Sequence, residues 1–105
     1  MNKKCDLHVH SNFSDSDADV ESIFRLAGQK GLSCIALTDH DTVAGIPEAK
    51  IYSKKYNLEL IEAIELSAQH KDSEVHILGY FINTQDKKLQ AELKNIEDFR
   101  RKRIM

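Results

Sequence analysis

Short apolar runs alternate with helical patterns along this chain, and that alternation most restricts how the chain can fold. The apolar runs predict four strands, at residues 4–9, 33–38, 58–66 and 74–82. Apolar residues at helical spacing predict three helices, at residues 20–30, 45–56 and from 86 onward. Strands that alternate with helices are typical of βαβ units, so we predict an α/β fold built on a parallel sheet.

Residues at the predicted helix ends support these boundaries. Asp17 or Asp19 is suited to cap the first helix, because a short carboxylate accepts hydrogen bonds from the free N–H groups there. Gly31 is expected to end that helix, and Pro47 is tolerated in the first turn of the second. No repeat or Gly/Ser linker interrupts the pattern, so we predict one domain.

The composition argues against several classes of protein. The 105 residues are 41% hydrophobic and 30% charged, with a formal net charge of -2. This near balance gives no overall attraction to nucleic acid or to anionic membranes. No run approaches the roughly 20 apolar residues of a membrane span, and the first residues lead into a strand instead of the apolar core of a signal peptide. We therefore expect a soluble protein without a membrane partner.

The two cysteines point to a reducing compartment. Cys5 and Cys34 both fall within predicted strands, where a small buried thiol is the usual finding. Two such residues do not make a disulfide framework, so we expect both thiols to be buried and reduced. This favours a cytoplasmic location.

The triplet His8-Val9-His10 closes the first predicted strand and indicates a metal site. Side chains two residues apart project from the same face of a strand, so both imidazoles can coordinate one cation. Neutral imidazole binds zinc, manganese, iron and nickel alike, so the pair does not select the ion.

Further metal-binding residue types gather at the ends of the other predicted strands. They are Asp15 in the loop after the first strand, His40 after the second, Glu65 at the end of the third and His76 on the fourth. Ligands of parallel α/β folds bind at the carboxyl ends of the strands, so these side chains can converge with the His pair. Such a mixed nitrogen and oxygen set suits two or more divalent ions, with Glu65 able to bridge ions about 3.5 to 4 Å apart.

Each of these residues also has a structural explanation. Asp15 could be a solvated loop residue or a cap, Glu65 a carboxylate at the rim, and His76 a hydrogen-bonded histidine of the core. His40, between two aspartates, could simply order a turn. One metal site explains the positions of all these residues, whereas the alternatives require several unrelated coincidences at the same edge of one sheet.

Five short motifs resemble the polymerase and histidinol phosphatase (PHP) superfamily. They are D-L-H-V-H-S at 6–11, S-D at 14–15, A-L-T-D-H-D at 36–41, I-E-L-S at 64–67 and V-H-I-L-G-Y at 75–80. The resemblance implies a metal-dependent phosphoesterase on a distorted (β/α)7 TIM-like barrel, with up to three Mn, Fe or Zn ions. It also implies a set of catalytic metal ligands, which are His8, His10, Asp15, His40, Glu65 and His76. Among the substrates of this superfamily, nucleotides or short oligonucleotides fit the resemblance best.

The chain departs from the superfamily in its length. It lacks the later histidine and the final D-x-H pair, and a seven-stranded barrel at roughly 30 residues per βα unit needs about twice these residues. The chain thus resembles the first half of the barrel, about four βα units, as one partial PHP domain over residues 1–105 that ends within a helix. It could be a truncation, pair with a second chain or persist as an open sheet. Open edges favour self-association, so we expect a homo-oligomer or a missing carboxyl-terminal half.

Two functions follow as hypotheses. In the first, the chain contributes to hydrolysis of a phosphate ester by a water that the cations activate. Asp39, Asp41 or Asp6 would then orient an imidazole from outside the ligand set. In the second, the chain is a non-catalytic metal-binding or assembly module with an incomplete site.

Residues near the carboxyl end have less specific interpretations. The basic run 100–103 could touch phosphate, although a solvated helix face explains it more simply. Tyr80 and Phe81 are expected to pack in the core or cover a strand.

Overall fold

The computed structural model describes residues 4–104, and the side chains of all of these except residues 69, 70 and 99–104. The elements in chain order are β1 (Cys5–Val9), α1 (Val20–Gln29), β2 (Cys34–Leu37), α2 (Ile46–Lys55), β3 (Glu59–His70), β4 (Ser73–Tyr80) and α3 (Lys87–Ile104). Each element lies where the sequence predicts one, and β3 extends four residues beyond its predicted end. The basic run 100–103 has its side chains outside the described part of the chain.

The strands form one four-stranded sheet in the order β1-β2-β3-β4, in which β1, β2 and β3 run parallel. β4 instead pairs antiparallel with β3, from Ala63 opposite Tyr80 to His70 opposite Ser73. The prediction of a wholly parallel sheet of four βα units is therefore wrong at β4. A parallel crossover needs about a dozen residues or more, and only Lys71 and Asp72 separate the two strands. Lys71 adopts a left-handed φ of 55°, which closes the hairpin.

Helix α1 forms where the sequence provides both an N-terminal cap and a stop. The side chain of Asp19 accepts a hydrogen bond from the Ser22 N–H at 2.9 Å, so Asp19 and not Asp17 is the cap. Gly31 follows the helix with a φ of 79°, a conformation that glycine adopts without steric cost. Both boundary predictions are confirmed.

The main core lies between the sheet and the two helices that cover one of its faces. It consists of Val20, Phe24, Ala27, Ile35, Leu37, Ile46, Ala49 and Leu58. Fully burying one large apolar side chain contributes about 1.5–3 kcal/mol, so this cluster fixes α1 and α2 on the sheet. A smaller cluster of Cys34, Ala36, Ile61 and Ala63 occupies the other face, and all four residues of β2 are buried.

The edges of the sheet expose apolar groups. Cys5 lies on the edge strand β1, and it is exposed, whereas Cys34 on the inner strand β2 is buried; the prediction of two buried thiols is wrong for Cys5. An edge strand has only one neighbour to cover it, and the sequence pattern does not reveal which strand lies at the edge. Tyr80 covers β1 by donating a hydrogen bond to the Leu7 carbonyl at 2.7 Å. Phe81 is 79% exposed, so the expectation that it packs in the core is wrong; its φ of 57° turns the chain out of β4.

None of the helices in the described part of the chain combines the length and the apolar content that a membrane span requires.

Candidate metal centre

The two histidines at the end of β1 face the same carboxylate oxygen. His8 Nε2 lies 2.6 Å and His10 Nε2 2.8 Å from Oε1 of Glu65. Alternation along an extended strand places both rings on one face, as the H-x-H spacing predicts. Their ring centroids are 5.0 Å apart, so the nitrogens of both rings can approach a single ion.

Glu65 is the centre of the cluster. It lies on β3, only 5% of its surface is exposed, and each of its carboxylate oxygens faces imidazoles. Oε2 lies 2.9 Å from His76 Nδ1 and 4.0 Å from His40 Nδ1, on the side opposite His8 and His10. Burial acts to raise the pKa of Glu65, but the hydrogen bonds from His8 and His10 and the charge of His40 outweigh it and lower that pKa to about 2. The carboxylate is therefore ionised and ready to coordinate a cation.

The antiparallel hairpin brings His76 to Glu65. In the register of β3 and β4, His76 lies directly opposite Ser67, and Ser67 shares a strand face with Glu65 two residues earlier. A parallel β4 would not give this register. The feature of the fold that the sequence analysis missed is thus the one that positions this histidine.

His40 is placed by backbone pairing beyond the end of β2. It forms an isolated parallel bridge with Glu65, and the Asp41 N–H donates to the Glu65 carbonyl at 3.0 Å. Asp15 reaches in from the loop after β1 and lies 2.7 Å from His10 Nδ1 and 3.2 Å from His40 Nε2. Burial opposes the charged form of His10, but the carboxylates of Glu65 and Asp15 raise its pKa above the ordinary value.

The structure brings together all six residues that the sequence analysis singled out. They form three groups, which are His8, His10 and Glu65; His10, Asp15 and His40; and His40, Glu65 and His76. Within each group the candidate ligand atoms lie within 4.8 Å of one another. Each pair of groups shares one residue, so the groups close into a ring of three adjacent positions. Imidazole nitrogens combined with carboxylate oxygens are a donor set that fits Zn, Fe or Mn.

The aspartates proposed to support the ligands act differently from one another. The buried carboxylate of Asp39 accepts from serines, namely from Ser11 N at 2.5 Å, Ser11 Oγ at 2.6 Å and Ser14 Oγ at 2.8 Å. It thereby ties the loop that carries Asp15 to the end of β2, a role the sequence analysis missed. Asp41 accepts from the Ser67 N–H at 2.7 Å and so steadies β3.

The three groups of candidate ligands are called the metal groups below. A cleft of about 1190 Å³ opens beside two of them. Asp15, His40 and His76 line it, together with residues of α3. The cleft is large enough for a small-molecule substrate, since ligand pockets typically measure about 300–1,000 Å³.

Comparison with known protein families assigns the chain. The model of the PHP domain matches residues 6–100, a span that contains all six clustered residues. The chain belongs to the PHP domain family. This PHP chain is 38% identical over 105 residues to a 5'-3' exoribonuclease of Haemophilus influenzae, matching 100% of this chain and 38% of that protein. It is 32% identical over 98 residues to a 3',5'-nucleoside bisphosphate phosphatase of Chromobacterium violaceum, with 93% of this chain and 34% of that protein covered.

Solved structures agree with this assignment. An amidohydrolase from Chromobacterium violaceum superposes with a TM-score of 0.88 at 31% identity over 92% of this chain and 34% of its own. A protein from Bifidobacterium adolescentis that is described as a metal-dependent phosphoesterase by assignment gives a TM-score of 0.83 at 29% identity over 90% of this chain and 33% of its own. The four strands and three helices are consistent with part of a PHP barrel, and the chain spans only about a third of these related proteins.

Proposed function

We propose that this PHP domain is part of a metal-dependent phosphoesterase that hydrolyses a phosphate ester of a nucleotide or short oligonucleotide. The observation that carries the proposal is the buried carboxylate of Glu65, which lies within hydrogen-bond distance of His8, His10 and His76. A buried charge surrounded by imidazoles is costly to build for packing alone, and such groups are usually paired or coordinate metals. The names of the related exoribonuclease and bisphosphate phosphatase support the substrate class.

The proposed cofactors are divalent Mn, Fe or Zn ions, up to three in a complete site. The proposed ligands, which are also the proposed catalytic residues, are His8, His10, Asp15, His40, Glu65 and His76. When bound, such ions activate water for attack on phosphorus and neutralise the charge of the phosphate oxygens.

The protein residues contribute position and protonation state. Glu65 stays ionised over the whole physiological range, because its pKa is about 2. It can therefore bridge two of the three positions without first losing a proton. Asp15 lies within reach of His10 and His40, so the loop after β1 places a carboxylate where the group of His10, Asp15 and His40 needs its oxygen ligand.

We further propose that the chain takes part in a larger assembly, either with a second copy or with the other half of a (β/α)7 barrel. Leu7 on the edge strand β1 is 47% exposed, and Ile77 on β4 is 53% exposed. Pairing at these edges would bury apolar side chains and satisfy strand backbone groups. The mass of the purified chain, measured by light scattering, tests self-association, and a monomer at all concentrations contradicts it.

The direct test of the phosphoesterase is manganese-dependent release of phosphate from a nucleotide. His8→Ala is expected to abolish release. Asp15→Asn is expected to lower release by more than the about 10–100-fold that is lost when a residue that only hydrogen-bonds a metal ligand is replaced. Asp17→Asn is the matched control, because Asp17 is exposed on the same loop and lies outside the three metal groups. Saturable binding of Mn²⁺ without phosphate release would favour the non-catalytic metal-binding module instead.

A further inference from the structure

Phe13 presents an aromatic ring to the cleft beside the metal groups. It lies two residues before Asp15, it is 43% exposed, and it lines the same cleft as Asp15 and His40. A single exposed aromatic residue is common on protein surfaces and needs no special explanation. Two further observations distinguish this one.

The first observation is that the structure holds Phe13 in place. Its backbone N–H donates to Ser11 Oγ at 3.2 Å, and Ser11 and Ser14 on either side both donate to the buried Asp39. The ring also lies against the backbone of Gly45, where an added Cβ atom would lie 3.0 Å from Phe13 Cδ2. Glycine at this position leaves room for the ring. A side chain that is already fixed loses little conformational entropy when a ligand binds to it.

The second observation is the composition of the cleft around the ring. Val43 and Leu93 add apolar surface, and Gln90 and Lys94 on α3 offer polar groups. The lining also includes the carboxylates of Glu74, Glu97 and Asp98, so the metal groups must supply the positive charge that a phosphate requires. Asp15, His40 and His76, which belong to two of the three metal groups, line the same cleft. One cleft therefore combines a site for a negatively charged phosphate with a fixed, half-exposed aromatic face.

We propose that Phe13 is the stacking platform for the nucleobase of a nucleotide whose phosphate lies at the metal groups. This inference rests on the proposed function and adds to it the residue that selects nucleotides over other phosphate esters. Every nucleobase has a flat π-face, so stacking on Phe13 accepts all bases and selects against esters that carry none.

The test compares a phosphate ester that carries a base with one that lacks it. Binding of adenosine monophosphate and of ribose 5-phosphate is measured by calorimetry in the presence of Mn²⁺. Phe13→Leu is expected to weaken binding of adenosine monophosphate by about 5- to 150-fold, the range for loss of one stacked base, and to change ribose 5-phosphate binding by less than about 2-fold. Phe13→Tyr keeps the ring and is expected to retain the wild-type preference.

Phe81→Leu is the matched control, because Phe81 is an exposed aromatic residue that does not line the cleft. Equal weakening of both ligands in Phe13→Leu, or no weakening of either, overturns the stacking role. A wild-type chain that binds ribose 5-phosphate as tightly as adenosine monophosphate also overturns it, while leaving the phosphoesterase proposal in place. A chain that binds neither ligand in the presence of Mn²⁺ overturns both proposals.

Discussion

Replacing Asp39 by asparagine removes the charge that anchors the loop between β1 and α1. The Asp39 side chain lies at the end of β2, is 2% exposed and accepts three hydrogen bonds from Ser11 and Ser14. The Ser11 Oγ contact of 2.6 Å is in the range of a charge-assisted bond, 2.5–2.7 Å for a hydroxyl donating to a carboxylate. This loop carries both Asp15 and Phe13.

The size of the effect follows from these contacts. The amide oxygen of asparagine can keep the two bonds to Oδ1, and its NH₂ group can donate to Ser11 Oγ, but the hydrogen of the buried Ser11 hydroxyl then loses its acceptor. Each bond loses its charge assistance, which is worth about 1 kcal/mol, and the easier burial of a neutral amide offsets part of that loss. We expect Asp39→Asn to lower the free energy of unfolding by about 1–3 kcal/mol. Asp39→Ala leaves the buried Ser11 groups without an acceptor, and we expect a loss of about 3–5 kcal/mol.

Urea unfolding in the presence of a chelator measures both losses without a contribution from bound metal. Asp17→Asn makes the same chemical change on the exposed part of the loop and should stay within about 0.5 kcal/mol of wild type. Asp39 does not anchor the loop if Asp39→Asn is as stable as Asp17→Asn, or if Asp39→Ala is no less stable than Asp39→Asn.

Two further predictions concern the core and the pH dependence of the metal-free chain. Phe24 is fully buried between α1 and the sheet, so Phe24→Ala should cost about 3–5 kcal/mol in urea unfolding, and a cost below about 1 kcal/mol would contradict this packing. Glu65 has a pKa of about 2 in the folded chain, below its ordinary value of 4.5, so it stabilises the fold fully above pH 4.5, and this contribution is lost as the pH falls toward 2. The difference in unfolding free energy between wild type and Glu65→Gln, measured with chelator, should therefore shrink as the pH falls from about 4.5 to 3. A difference that grows over this same interval would show the opposite shift.

The helices and strands were largely predictable, because the capping residues and the spacing of apolar residues specify the same elements that pack in the folded structure. The apolar stripe of α1, its Asp19 cap and Gly31 all specify the same helix. The direction of β4 was not predictable from alternation alone, because a strand reads the same in either direction. The signal was the short connection at Lys71 and Asp72, which has no room for a crossover helix.

The candidate site was predictable to the level of which side chains meet. Strand alternation and the rule that ligands bind at strand ends bring His8, His10 and Glu65 to one place, and the structure agrees. The hydrogen bonds that hold the loop of Asp15 in place were not predictable. The contact between Asp39 and Ser11 joins residues 28 positions apart, and no sequence pattern connects them. The cytoplasmic location, the identity of the ions and their coordination by the six residues stay predictions.

The number of Mn²⁺ ions bound per chain, measured by equilibrium dialysis with elemental analysis, tests whether the three groups of His, Asp and Glu residues hold metal ions. Glu65 belongs to two of the three ligand groups, whereas the group of His10, Asp15 and His40 does not include it. We predict that wild type binds at least two ions and that Glu65→Gln loses binding at the two positions it shares, with residual binding at the third. A wild-type chain that binds no more Mn²⁺ than Glu65→Gln would contradict the account.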